Sequence, residues 1–394
     1  MPIGWFKKTI RPRLIALARR QIGSTRRGPV QAMVWTRNWI QDHPRSGRFL
    51  FREGPHKSKD ALPLNQSAWK HPAFEAKNFQ RDWGVFVAEI DGAFVSGPSV
   101  GVITPNRRLL TDVSFEFSGW PESHSAMRKV LFPKPAFLKG TWVLLSSTGG
   151  DSYYHHMAEC APRMQLLHRA GLLRNKVAGW IVNGTSMPYQ RETWRRLGFN
   201  PKRIRTVSDG SYYHCERLWV PSLPDVPGRT NPETVAFLKK LFAAPKNKKP
   251  GRLLYLPRPG LPSRRLLDEE KIAGFLCSLG FEIFVPSRYS VAEQARVFAE
   301  ARIVVGPHGG AMTNVVFMQP GSLVVEFFHP RYVNPCYWRV AWANQCRYAY
   351  LLGESDGSST SAPPGDARGH VRLGNRALDS LRKLLQRELG EPGR

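Results

Sequence analysis

Ile303-Val-Val-Gly306-Pro-His308-Gly309-Gly310-Ala-Met-Thr313-Asn314-Val-Val-Phe-Met-Gln-Pro-Gly-Ser-Leu-Val-Val-Glu326-Phe decides the architecture of this chain. An apolar run ends at Gly306, and two glycines follow His308 where a helix would begin. A second apolar run opens at Leu323. Such a strand–turn–helix–strand unit belongs to a parallel sheet with helices on its faces. At the turn the first amides of the helix lack intrahelical partners, and the helix dipole favours an anion. Gly309 and Gly310 let a phosphate approach the backbone. Thr313 and Asn314 lie one turn further in. Glu326 falls near the carboxyl end of the next strand, where a carboxylate can take both hydroxyls of a ribose. The same pattern also fits plain strand-to-helix packing with a solvated Glu326.

Working outward, the βα rhythm runs through the second half. Strands are expected at Leu253–Leu256, Phe281–Val285, Ile303–Val305 and Leu323–Phe327. Helices are expected at Leu266–Leu279, Ser290–Ala301, about Gly310–Met318 and Asn375–Glu388. Arg258 follows the first of these strands and can grip a diphosphate bidentately. Arg264 and Arg265 follow in a loop. Ser290-Val-Ala-Glu293 is a capping box. Aromatic residues near 332–350 are expected in the core, with stacking on a base or sugar as the alternative for some of them. Residues 354–371 are rich in Gly, Ser and Pro.

In the first half, strands around Asp91-Gly92 begin a meander that extends to Phe117. Thr141–Ser146, Val177–Val182, Arg203–Val207 and Arg217–Val220 are expected strands, with helices at Ser152–Ala170 and Tyr189–Leu197. Pro221-Ser-Leu-Pro-Asp-Val-Pro-Gly228 is a turn-rich break. The domains follow: an irregular lead-in at 1–80, an α/β domain at 81–228 and a second at 229–394. Two such domains make a cleft at their sheet ends.

Ser152-Tyr-Tyr-His155-His156-Met-Ala-Glu159 opens a helix of the first domain. His155 and Glu159, four apart, share a face. A carboxylate there orients the imidazole and stabilises its charged form, which makes a competent base. His156 with Glu159 is the rival pairing, and a locally satisfied helix-end histidine is the bland alternative.

Composition bounds the rest. The chain has 394 residues, enough for roughly two domains, and at 42% hydrophobic it can bury a core. Lys and Arg total 58 against 30 acids, a formal charge of +28. That implies attraction to phosphate, anionic lipid or an acidic polymer. Eight basic residues and no acid occupy positions 1–30, where Trp5, Phe6, Ile10, Leu14 and Leu17 add apolar anchors. This arm suits the surface of an anionic membrane. A nucleic-acid-binding protein is the rival explanation of the charge, but no helix-turn-helix or RNA-recognition signature is present. No apolar run approaches the length of a membrane span, and the start lacks a secretory apolar segment. The scattered cysteines Cys160, Cys215, Cys277, Cys336 and Cys346 form no Cys-x-x-Cys pair. They are expected to be free thiols in a reducing compartment. No Asp-x-Asp pair appears, so no carboxylate grip on a metal-diphosphate is expected.

Taken in order, Tyr153-Tyr-His155 through Pro162-Arg163, Arg258 with Arg265, Ser290-Val-Ala-Glu-Gln294, Gly306-Pro-His308 through Asn314, Pro320-Gly-Ser322 and Val325-Glu326 resemble glycosyltransferase family 61. The family commonly reads His-Gly-Ala-Gly-Leu-Thr-Asn where this chain has His308-Gly-Gly-Ala-Met-Thr-Asn314. The resemblance implies a GT-B-like α/β fold: two Rossmann-like domains facing a central cleft, here with an irregular basic N-terminal arm. It implies an inverting transfer from a nucleotide sugar, with a UDP-sugar as the expected donor and no metal cofactor. The acceptor would be a glycan or lipid-linked glycan of cell-surface or capsular polysaccharide synthesis. The location would be cytoplasmic, with the arm able to attach to the inner membrane face. Carried over by motif, Arg258, Arg265, His308, Gly309, Gly310, Thr313, Asn314 and Glu326 would hold the donor, with Glu326 on the ribose. His155 and Glu159 would face the acceptor, one of them as base. A member that binds a nucleotide sugar without turning it over is the remaining alternative.

Overall fold

A computed structural model describes residues 28, 30–54, 57–59, 62–65, 70–75, 78–80, 84–117, 123–172, 177–245, 249–260, 263–355 and 369–390. The basic arm expected at positions 1–27 lies outside the described residues, as do 356–368 of the Gly/Ser/Pro-rich stretch. The chain divides into two units. One takes residues up to 56 and 81–227; the other takes 57–80 and everything from 228 on.

The second unit is built on five strands: Arg252–Tyr255, Glu282–Ile283, Ala301–Pro307, Leu323–Phe328 and Arg347–Leu352. All pair in parallel, and in chain order they lie 2-1-3-4-5 across the sheet. That order has one topological switch point, between the first and third strands. Both faces are covered. Tyr255, Ile303, Val305, Leu323, Val325, Ala349 and Leu351 join one cluster with Ile272 and Leu276 of the helix Glu269–Ser278 and with Leu381 and Leu385 of the helix Asn375–Leu389. Their alternates Leu254, Val304 and Val324 are equally inaccessible on the opposite face. Continuous apolar runs in these strands are the sequence image of two buried faces.

The strand Arg347–Leu352, together with the helix Cys336–Ala343, was hidden in the aromatic-rich stretch 332–350, whose Tyr337, Trp338, Tyr348 and Tyr350 are indeed buried. Its outer edge is not left open. The amide of Leu64 donates to the carbonyl of Tyr348 at 2.8 Å, and the amide of Tyr350 donates to Asn65 Oδ1 at 3.2 Å. Phe74, fully buried, stacks on Tyr350 at 4.0 Å and meets Trp338 edge-on at 5.6 Å. Part of the expected lead-in is therefore an edge cover for the second sheet, which removes a row of unpaired backbone groups from solvent.

The first unit departs from the purely parallel expectation. Its ten-stranded sheet is mixed. Tyr212–Pro221 joins the halves: it runs parallel to Ala136–Leu144 on one side and antiparallel to Phe86–Asp91 and Phe94–Ser96 on the other. The meander and the βα part thus share one sheet, with Gly179–Val182 and Ile204–Thr206 extending the parallel side. Residues expected to be irregular also enter it. Ala32–Val34 pairs with Arg108–Leu110, and Gly47–Arg52 pairs with Phe86–Asp91. Strands this short carry little alternation, and their partners lie far away in the chain, so no local pattern marks them.

Replacing Phe74 by Ala removes the ring that seats the edge cover. Denaturant unfolding should show a loss of about 3 kcal/mol; a loss under about 1 kcal/mol would mean that 57–80 contributes little to the second unit.

Candidate active site

In the second unit the carboxyl ends of the first and third strands carry Arg258 and His308-Gly309, on either side of the switch point. The two come together. A Cβ placed on Gly309 would stand 1.7 Å from Arg258 Nη1, so the guanidinium occupies the space that any other residue would fill. Arg258 is buried, its Nε has no hydrogen-bond partner among the described residues, and its Nη2 reaches the Ser263 carbonyl at 3.4 Å. Burial, with the like charge of Arg264 beside it, pushes its guanidinium down to about 10, still protonated at neutral pH. Among the described residues no carboxylate pairs with this buried guanidinium, and such a cation has the chemistry to hold an anion.

The segment Gly310–Phe317 winds as a tight three-residue-per-turn helix rather than the expected α-helix. The Met312 amide donates to the Gly309 carbonyl at 2.9 Å, while the amides at the very start of such a helix have no intrahelical acceptor. Thr313 is buried beside Tyr337. Asn314 is fully buried; its Nδ2 donates to Gln294 Oε1 at 2.7 Å, and Gln294 Nε2 donates to the Tyr289 carbonyl at 2.9 Å. The Asn314 amide therefore ties the turn to the helix Val291–Ala299, which the Ser290–Glu293 box caps. It braces the turn against that helix.

Glu326 is also placed otherwise than the ribose expectation requires. It is 0% exposed. One carboxylate oxygen lies 2.5 Å from His308 Nδ1, and the other accepts the Tyr348 hydroxyl at 2.5 Å. Burial and the carboxylate hold the Tyr348 phenol well above its usual range, so it remains a donor. Glu326 fixes the ring of His308, which packs among Phe328, Tyr332 and Tyr337 at centroid distances of 5.1, 5.5 and 5.0 Å. Arg265 is exposed, whereas its neighbour Arg264 turns in over Tyr332 at 5.4 Å. Arg264, not Arg265, is the second cation here. A cavity of about 680 Å³ opens beside Tyr332, lined also by His71, Arg331 and Asn334.

In the first unit the expected helix Ser152–Ala170 is three pieces: Tyr153–His155, a wide π-turn at His156–Cys160, and Arg163–Arg169 after Pro162. His155 Nδ1 lies 2.9 Å from Glu159 Oε1, with the His155 side chain 20% and the Glu159 side chain 4% exposed. Ser147 Oγ donates to Glu159 Oε2 at 3.2 Å, and Ser147 is itself held by Asn183 through both its amide and its carbonyl. Ser147 and Asn183 follow the parallel strands Ala136–Leu144 and Gly179–Val182, so this site too sits at carboxyl strand ends. Arg163, fully buried, donates to the Ser146 carbonyl at 2.5 Å and lies close enough to Glu159 for the two charges to interact.

The rival histidine is resolved. His156 is buried with Nε2 3.0 Å from Thr193 Oγ1 and edge contacts to Tyr189 and Trp194. Burial drives its imidazole down to about 3. Among the described residues no three His, Cys, Asp or Glu side chains cluster as a metal site. The cysteines are all unpaired, and Cys277 is exposed rather than buried.

The 2-1-3-4-5 parallel sheet places the second unit among doubly wound α/β folds, in which ligands bind at the switch point. Comparison with known proteins carries this further. Residues 153–325 match the family model described as Glycosyltransferase 61. Over 97 residues the chain is 34% identical to Xylan glycosyltransferase MUCI21 of Arabidopsis thaliana, a stretch covering 24% of this chain and 19% of that protein. The segment 153–325 is thus similar to the proteins of glycosyltransferase family 61. The match opens two residues before His155 and closes one residue before Glu326.

His156 supplies a test of the first unit by pH. Its native form stays neutral where the unfolded chain, with a pKa near 6.5, takes up a proton. The contribution is fully present above pH 6.5 and is lost as pH falls toward 3. Between pH 7 and pH 5 the loss should be about 2 kcal/mol, and His156→Gln should remove that part of the slope in denaturant titrations. An unchanged slope would mean that His156 is protonated in the native state.

Proposed function

We propose that the chain moves a sugar from a nucleotide-sugar donor, a UDP-sugar, to a hydroxyl of a glycan acceptor, with inversion at the anomeric carbon. The observation that carries this is the Arg258 guanidinium lying over Gly309 at the switch point. The labour divides as in GT-B enzymes. The second unit takes the donor: Arg258, Arg264 and the free amides opening Gly310–Phe317 bind the diphosphate, and His308, held by Glu326 and Tyr348, borders it. The cavity at Tyr332 receives the remainder of the donor.

The first unit supplies the base. Of the pair, His155 is the more exposed, while Glu159 is enclosed by Ser147, Arg163 and the imidazole. His155 takes the proton of the acceptor hydroxyl, and Glu159 orients the ring and stabilises the imidazolium that forms. The new bond joins the acceptor oxygen to the anomeric carbon as the bond to the diphosphate breaks. The electron pair leaves on a phosphate oxygen whose charge the arginines and amides absorb. No enzyme nucleophile is needed. The xylan named for the Arabidopsis relative makes a polysaccharide the acceptor class to try first.

His155→Ala should lower acceptor-dependent UDP release by a hundredfold or more, with UDP affinity unchanged within about twofold; full turnover would remove His155 from the mechanism. Glu159→Gln should lower turnover in the same direction. On the donor side, Gly309→Ala displaces only the far end of a flexible side chain, so the fold should persist. UDP affinity by calorimetry should nevertheless fall about tenfold or more, a loss of at least ~1.4 kcal/mol. Wild-type affinity in that variant would place the diphosphate elsewhere.

A further inference from the structure

Across the ring of His155 lies a feature that the transfer chemistry leaves unused. Phe117 stands with its centroid 4.8 Å from the imidazole, inclined at 46°, and Phe115 meets Phe117 edge-on at 5.4 Å. Both phenylalanines are exposed, at 39% for Phe115 and 54% for Phe117. The two rings together form a small exposed apolar patch beside the imidazole.

Their exposure is built in. Glu116, between them, is anchored on the other side: it accepts Ser99 Oγ at 2.7 Å and the Ser125 amide at 2.6 Å. Those bonds hold its carboxyl below the usual range. The Thr148 hydroxyl donates to the Phe115 carbonyl and pins the same backbone. Gly149, at φ +76°, closes the arrangement from below. A Cβ there would lie 2.8 Å from Phe117 Cε2 and 3.0 Å from His155 Cδ2, so ring, glycine and imidazole form one continuous surface. The surface is apolar at the two rings and polar at the His155–Glu159 edge.

A sugar ring has the complementary form. When its substituents are equatorial, its axial C–H bonds make a flat apolar face while its hydroxyls project from the rim. We propose that Phe115 and Phe117 are the stacking platform of the acceptor subsite, and that they select a pyranose of all-equatorial configuration, xylose- or glucose-like, whose rim hydroxyl then meets His155. This rests on the transferase reading above, but it concerns a binding surface that can be tested without turnover.

The test is calorimetric titration of the full chain with xylohexaose, cellohexaose and mannohexaose, the last carrying an axial hydroxyl, and separately with UDP. Wild type, Phe117→Ala, Phe117→Leu, Phe117→Trp and Phe115→Ala are compared. The expected result is binding of xylohexaose or cellohexaose in preference to mannohexaose. Affinity should fall tenfold or more in Phe117→Ala and in Phe117→Leu, which keeps apolar volume but loses the ring. Phe117→Trp should retain it within about threefold, and UDP affinity should be constant within twofold throughout. Absence of hexaose binding by wild type would overturn the proposal. So would wild-type affinity in Phe117→Leu, or a parallel loss of UDP affinity that reveals a general structural effect. Failure of the enzyme reading looks different: no UDP release from any UDP-sugar and no UDP binding, with hexaose binding and its dependence on Phe117 intact.

Discussion

The guanidinium of Arg258 lies where a side chain at position 309 would be, and much of the second unit follows from that coincidence. Only glycine leaves the space, although the backbone there is extended and asks for no special conformation. The strand ending at Leu256 must end beside the one ending at Pro307, which the 2-1-3-4-5 order provides. The charge must then be tolerated in a buried place beside Arg264. Removing a cation from water and setting a second one nearby costs stability. A fold keeps such an arrangement where an anion repays it on binding.

Glu326 shows how partners beyond the reach of local spacing define a residue's surroundings. Its place at a strand end made it resemble the ribose ligand of dinucleotide folds. The chain also offers Tyr348 on the adjacent parallel strand and His308 at the end of the strand on the other side, and each binds one oxygen of the carboxylate. Neither partner is visible from local spacing, because both interactions cross between strands. Asn314 was displaced in the same way by Gln294, twenty residues away, a bond that explains why the capped helix and the glycine turn occur together. Periodicity and glycine placement made the second sheet legible. Side-chain pairing across strands did not show, because it has no period.

The first unit was less legible for a different reason. Its long strand Tyr212–Pro221 pairs in both senses, so the alternation of strands and helices that predicts a parallel sheet described only one side of it. The four-residue spacing of His155 and Glu159 nevertheless held, even though the helix between them widens into a π-turn. What spacing could not reveal was which histidine stays in water. That difference follows Thr193, Tyr189 and Trp194, which enclose His156, while His155 is half-buried.

Burial also sorts the chemistry of the His155–Glu159 pair. The pair divides into an inner carboxylate, set against Ser147 and Arg163, and an outer ring that is 20% exposed. The same division recurs in the second unit, where an inner Glu326 holds the ring of His308. Glu326 sits on a strand and Glu159 on a π-turn braced by Ser147 at a strand end, yet each carboxylate faces the Nδ1 of its histidine.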